Sequence, residues 1–182
     1  MMRVLLLVVA VACAATLAFG QAGTIGIYGD PAGMSCYLYD TMPGLVQYYI
    51  VHVYTPGATG CQFAAPKPLC LGAQWLSDTA PFPVTIGTSQ VGVSIGYGTC
   101  RVGPIHVLTL NYFAMGTTPP CCMYPVVGDP SATPPGIYVV DCDFNLLPGR
   151  GCYGIVNPNV LCHCATPTEG ATWGKVKSLY NE

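Results

Sequence analysis

Between Gly23 and Pro167, glycine and proline recur so often that no long helix fits. Each proline removes a backbone donor, and a glycine inside a helix costs about 1 kcal/mol against alanine, so helix propagation stops near every interruption. With 22 glycines and 17 prolines in 182 residues, what remains is short β-segments joined by turns. The readable segments are 24–28, 34–39, 46–55, 82–86, 91–97, 104–113, 123–127, 136–142 and 152–156. About nine short strands at this spacing predict an all-β fold, a disulfide-stapled β-sandwich of Ig-like or related kind.

The segment 46–55 is the longest. Val46, Tyr48, Ile50, His52 and Tyr54 fall on one face, and Gln47, Tyr49, Val51, Val53 and Thr55 on the other. Both faces are largely apolar, which calls for a central strand covered on both sides or a surface buried by a partner. Gly92, Gly96 and Gly98 interrupt the segment after the turn Gly87-Thr88-Ser89-Gln90, predicting bulges or close backbone approach. Gly-Asp-Pro occurs at Gly29 and again at Gly128, a turn used twice.

Charge excludes some functions. Only 8% of residues are charged and the net charge is -2, against about 25% charged residues in ordinary soluble domains. Nucleic-acid binding through phosphate neutralisation needs a clustered basic surface that this chain lacks. With 52% hydrophobic residues the chain is not a disordered one.

The N-terminus reads as an export signal. Arg3 precedes the uncharged run from Leu5 to Phe19, and Ala18-Phe19-Gly20 places small residues for cleavage before Gln21. The run is short of the roughly 20 residues that span a bilayer, so no transmembrane segment is expected in the mature chain. Ala10-Val11-Ala12-Cys13 offers a lipoprotein box as the alternative, against which alanine at the -3 position counts. The expected location is secreted, extracellular or cell-surface, with the periplasm open. Cleavage removes Arg3 and Cys13, leaving five basic and eight acidic residues, net -3.

Ten cysteines remain: Cys36, Cys61, Cys70, Cys100, Cys121, Cys122, Cys142, Cys152, Cys162 and Cys164. An even number in an exported chain predicts a full disulfide set without a free thiol. Rings closed between Cys121 and Cys122, or between Cys162 and Cys164, are strained, so each of these four is expected to have a separate partner. Cys61 with Cys70, and Cys142 with Cys152, are plausible local loops. The expected organisation is a signal at 1–20, a β-domain at 21–165, a linker at 166–171 and a tail at 172–182. In that tail Trp173, Val176 and Tyr180 recur at i, i+3 and i+7, the stripe of a short amphipathic helix that needs a surface to dock on.

Two segments carry a resemblance. The opening Gly23-Thr24-Ile25-Gly26-Ile27-Tyr28-Gly29-Asp30-Pro31-Ala32-Gly33-Met34-Ser35-Cys36 and the ending Thr172-Trp173-Gly174-Lys175-Val176-Lys177-Ser178-Leu179-Tyr180 resemble uncharacterised exported, β-rich, cysteine-rich proteins of uncultured bacteria. The resemblance implies no particular activity.

Candidate chemistry is sparse. Asp141, Asp143 and Asn145 alternate as calcium-loop oxygens do, but Leu146 stands where such a loop needs glycine and Cys152 where it needs a bidentate glutamate. The plainer reading is a strand end entering a turn, with no metal and no cofactor. His52, His106 and His163 have no metal-ligand spacing among themselves, and the thiols flanking His163 are assigned to disulfides. Ser89 and Ser77-Asp78 read as turns, and no Gly-x-Ser-x-Gly elbow occurs. Ten tyrosines fall in the expected strands: Tyr28, Tyr37, Tyr39, Tyr48, Tyr49, Tyr54, Tyr97, Tyr112, Tyr124 and Tyr138. The expected function is a non-catalytic structural or surface-associated module, with self-association or a protein partner expected. A glycan- or protein-binding module using exposed tyrosines is the alternative, and a hydrolase with an unrecognised site is third.

Overall fold

The computed structural model describes residues 22–164. The export signal at 1–20, the linker at 166–171 and the tail bearing Trp173, Val176 and Tyr180 lie outside them. The chain runs through β1 (Thr24–Tyr28), β2 (Tyr37–Leu38), β3 (Pro43–Val53), β4 (Ala58–Phe63), β5 (Gln74–Thr79), β6 (Val84–Thr88) and β7 (Gly92–Arg101). There follow β8 (Ile105–Met115), β9 (Cys122–Pro125), β10 (Tyr138–Val140), β11 (Leu146–Pro148), β12 (Arg150–Gly151) and β13 (Tyr153–Val156). No helix occurs among the described residues.

A first sheet has the order β12-β1-β3-β8-β5, a second β11-β10-β4-β7-β6, and a small third sheet β2-β13-β9. The two large sheets enclose one core. Ile25, Ile27, Tyr48, Ile50, Leu110 and Tyr112 from the first meet Phe63, Val93, Ile95 and Tyr97 from the second, while Leu38, Tyr124 and Val156 come from the third. This is the disulfide-stapled β-sandwich that the strand pattern predicts.

Strand β3 is central in the first sheet and is covered on both sides. Tyr48 and Ile50 enter the main core, while Val51 and Val53 pack outside the sheet with Tyr28, Cys36 and the half-buried Cys164. The β3–β8 register slips between Ile50 and Val51, so both Val107 and Leu108 reach the core despite being neighbours.

Four strands were not legible as strands: β4, β5, β11 and β12. Ser77 and Asp78 lie in β5 rather than in a turn, pairing Asn111 and Leu110. Ser89 does sit in the turn between β6 and β7.

Eight cysteines form four bridges: Cys36–Cys164, Cys70–Cys122, Cys100–Cys142 and Cys121–Cys162. As expected, neither close pair closes on itself. The expected loops Cys61–Cys70 and Cys142–Cys152 do not form, and Cys61 and Cys152 are free thiols. The reason is where their strands aim them. Cys61 points into the core towards Tyr97, and Cys152 faces the Tyr28 hydroxyl. Burial pushes the Cys61 thiol up to about 12 and the Cys152 thiol above its ordinary value, so both thiols stay protonated. An even count made a full pairing the simple expectation, but four bridges and two separated thiols satisfy the same parity.

Candidate functional site: an apolar trough on the second sheet

The outward faces of the two large sheets differ. On the first, Gln47 pairs with Asn111 and Asn111 with Ser77 across three strands. Gln47 Nε2 donates to Asn111 Oδ1 at 2.9 Å, and Asn111 Nδ2 reaches Ser77 Oγ at 3.3 Å and Thr79 Oγ1 at 3.1 Å. Their amides and hydroxyls form a hydrogen-bonded ladder, and further along the same face Leu45, Phe113 and Met115 stand exposed.

On the second sheet the register builds two rows. One runs Val84, Gly96, Gly60, Val140, Leu146 across β6, β7, β4, β10 and β11. The next runs Ile86, Ser94, Gln62, Tyr138, Pro148. Each row is large at the rims and mostly small over the two central strands, so a trough runs along β4 and β7. Its volume is about 490 Å³ and no charged residue lines it. The rim side chains face solvent: Val84 is 53% exposed, Ile86 70%, Leu146 62% and Phe144 79%. Gly60 is required in the floor, because a Cβ there would stand 2.9 Å from the Ile95 carbonyl oxygen.

One rim is held rigidly. The turn joining β10 to β11 is built by Asp141, whose Oδ1 accepts from the backbone of Asp143 (2.9 Å) and Asn145 (2.8 Å). Its Oδ2 accepts from Asn145 Nδ2 at 3.0 Å. These bonds, led by that of the Asn145 side chain, hold the Asp141 carboxyl below its ordinary pKa. The residues with calcium-loop spacing therefore build a turn. Among the described residues no cluster of three or more histidine, cysteine or acidic side chains could hold a metal. Cys142, in the same turn, is bridged to Cys100 at the end of β7. The turn presents Phe144 with a φ of 63° beside the trough.

The other candidate residues are structural. Tyr28, Tyr48, Tyr97, Tyr112 and Tyr124 are core side chains, so half of the strand tyrosines are unavailable as a binding surface. Of the remainder, Tyr138 lines the trough. Ser89 is fully buried and donates from Oγ to Asp78 Oδ1 at 2.9 Å. His52 is also fully buried. Its Nε2 donates to the Ala22 carbonyl at 2.7 Å, which leaves Nδ1 to accept from the Tyr97 hydroxyl at 3.2 Å. His106 stands apart, against Thr109 Oγ1. His163 lies near the Tyr37 hydroxyl between two disulfide-bonded cysteines. No buried side-chain polar atom among the described residues lacks a partner. The interior therefore shows no orphaned group awaiting a ligand.

No protein-family model matches the chain, and no curated protein matches it. Among solved structures it is similar to the cohesin module from Clostridium perfringens ATCC13124 family 33 glycoside hydrolase. The identity is 6% and the TM-score 0.40, over 76% of this chain and 99% of that one. A likeness at that level assigns no function.

Proposed function

We propose that the protein is an exported, non-catalytic binding module of a surface or extracellular assembly, and that its trough holds an apolar polypeptide segment. The observation that carries this reading is the pair of cross-strand rows with exposed apolar rims and a small-residue floor. Apolar surface gathered around a concavity, without charge, is the composition of a protein-interface core. A trough of about 490 Å³ takes two or three large side chains, each contributing about 1.5–3 kcal/mol on burial. The four disulfides fit an oxidising compartment.

The carboxylates also support a non-catalytic reading. The described residues contain six aspartates and no glutamate. Asp30, Asp40, Asp78, Asp129 and Asp141 each accept hydrogen bonds that hold a loop or strand in place. A glycosidase needs two convergent carboxylates free to exchange protons. A glycan reading is weaker, because Tyr138 and Phe144 are the only aromatic rings lining the trough.

The test is selection of displayed random peptides on the purified, disulfide-intact chain. Apolar peptides should be enriched, and Leu146→Asp should weaken their binding at least tenfold with unchanged thermal unfolding. Failure to enrich any binder, or binders indifferent to Leu146→Asp, would sink the reading.

A further inference from the structure

We infer that the trough of one copy takes the C-terminal segment of another, with Trp173, Val176 and Tyr180 as anchors. This rests on the trough being a site for an apolar polypeptide. The occupant is named by chemistry. A stripe at i, i+3 and i+7 is the pattern that enters a hydrophobic groove as a helix, with Lys175 falling on the opposite side of the helical wheel. So short a helix is marginal alone in water and needs a surface to form on. The uncharged trough supplies one, and its glycine and serine floor admits a ring as large as that of Trp173 close to the backbone.

Geometry points to a second copy. The described chain ends at Cys164, which is bridged to Cys36 and packs with Val51 and Val53 on the outside of the first sheet. The trough lies on the outside of the second. Between Cys164 and the tail stands the stretch 165–171, which spans at most about 25 Å when fully extended. Crossing two sheets about 10 Å apart, with outward side chains on both, takes most of that reach before any sideways travel. A neighbour's trough is free of this constraint. Because exit and trough lie on opposite faces, the contact is head-to-tail, so copies add into rings or open chains.

The test is light scattering over a concentration series with two variants of the exported chain. Leu146→Asp keeps the tail and spoils the trough; Trp173→Asp keeps the trough and spoils the tail. The unaltered chain should grow beyond dimers, each variant alone should associate at least tenfold more weakly, and an equimolar mixture should form one-to-one pairs. Should Leu146→Asp fail to fold, Ile86→Lys at the opposite rim replaces it. A mixture that stays monomeric, association that survives both variants, or an unaltered chain that is monomeric throughout overturns the inference. A monomeric chain that still binds the selected peptides keeps the binding trough and loses only this occupant. One that binds none loses both.

Discussion

Phe144 holds a left-handed backbone conformation, which costs an L-residue about 1–2 kcal/mol, while its ring lies in solvent beside the trough. An exposed aromatic ring repays nothing to folding, so the strain points to a contact made outside the fold. Phe144→Gly relieves the strain but loosens the unfolded chain by a comparable amount. Its unfolding free energy should therefore stay within about 1 kcal/mol of the parent's in denaturant titration. Calorimetry with a selected peptide should show binding weakened at least tenfold. A loss of stability well beyond that margin would make Phe144 a packing residue instead. His52 is the reverse case, a polar group wholly committed to the interior. Burial lowers its pKa, partly offset by the bond to Ala22. The unfolded chain therefore binds a proton near pH 6.5 that the folded chain refuses. Stability should fall as the pH drops below about 6.5, by up to ~1.4 kcal/mol per unit, until the lowered folded pKa is reached. His106 is also lowered by burial, but it is half-exposed and adds little. Urea unfolding between pH 7.5 and 5 checks this, and a flat profile would contradict the buried neutral imidazole. The thiols give a third residue-level test. Denatured, unreduced protein lacking residues 1–20 should titrate two thiols per chain, and the native protein should react at Cys152 well before the core residue Cys61.

The turn joining β10 to β11 does at element scale what Phe144 needs at residue scale. The Cys100–Cys142 bridge closes a separation of 42 residues, for which chain entropy gives about 4 kcal/mol. Replacing both cysteines by alanine should lower stability by roughly that amount. It should also weaken peptide binding by more than Phe144→Gly does, because the whole rim is released. Equal binding by the bridged and unbridged chains would show that the rim needs no anchor. The same region marks where sequence reading succeeds and where it stops. Strand β1 is legible residue for residue, and β3 as a central strand covered on both faces, because alternation and β-branched side chains mark them. Strand β4 is not. Ala58-Thr59-Gly60-Cys61-Gln62-Phe63 has small residues where a strand usually shows bulk, and those small residues are the trough floor. Strand β5 reads as a turn at Ser77-Asp78, since nothing local reveals that Asp78 bonds to Ser89 in a distant hairpin. The Asp141, Asp143 and Asn145 pattern is visible, but a calcium loop and an aspartate-capped turn share its spacing; only the Asn145 amide on the Asp141 carboxylate separates them.

The two large sheets present different outward faces. The first sheet shows solvent its amide ladder beside exposed Leu45, Phe113 and Met115, and packs Val51 and Val53 against the Cys36–Cys164 bridge. The second shows solvent an apolar trough whose lining carries no charged residue. No helix among the described residues is long and apolar enough to cross a membrane. For a chain with 8% charged residues, exposed apolar side chains occur on several faces, and the trough is where they gather around a concavity. The measurement closest to that claim is amide chemical-shift mapping of the Trp173→Asp chain during titration with a selected apolar peptide. Shifts should concentrate at Gln62, Ile86, Ser94, Gly96 and Leu146, while Gln47, Asn111 and Phe113 on the first sheet stay in place. Shifts centred on the first sheet, or scattered over both, would contradict the account.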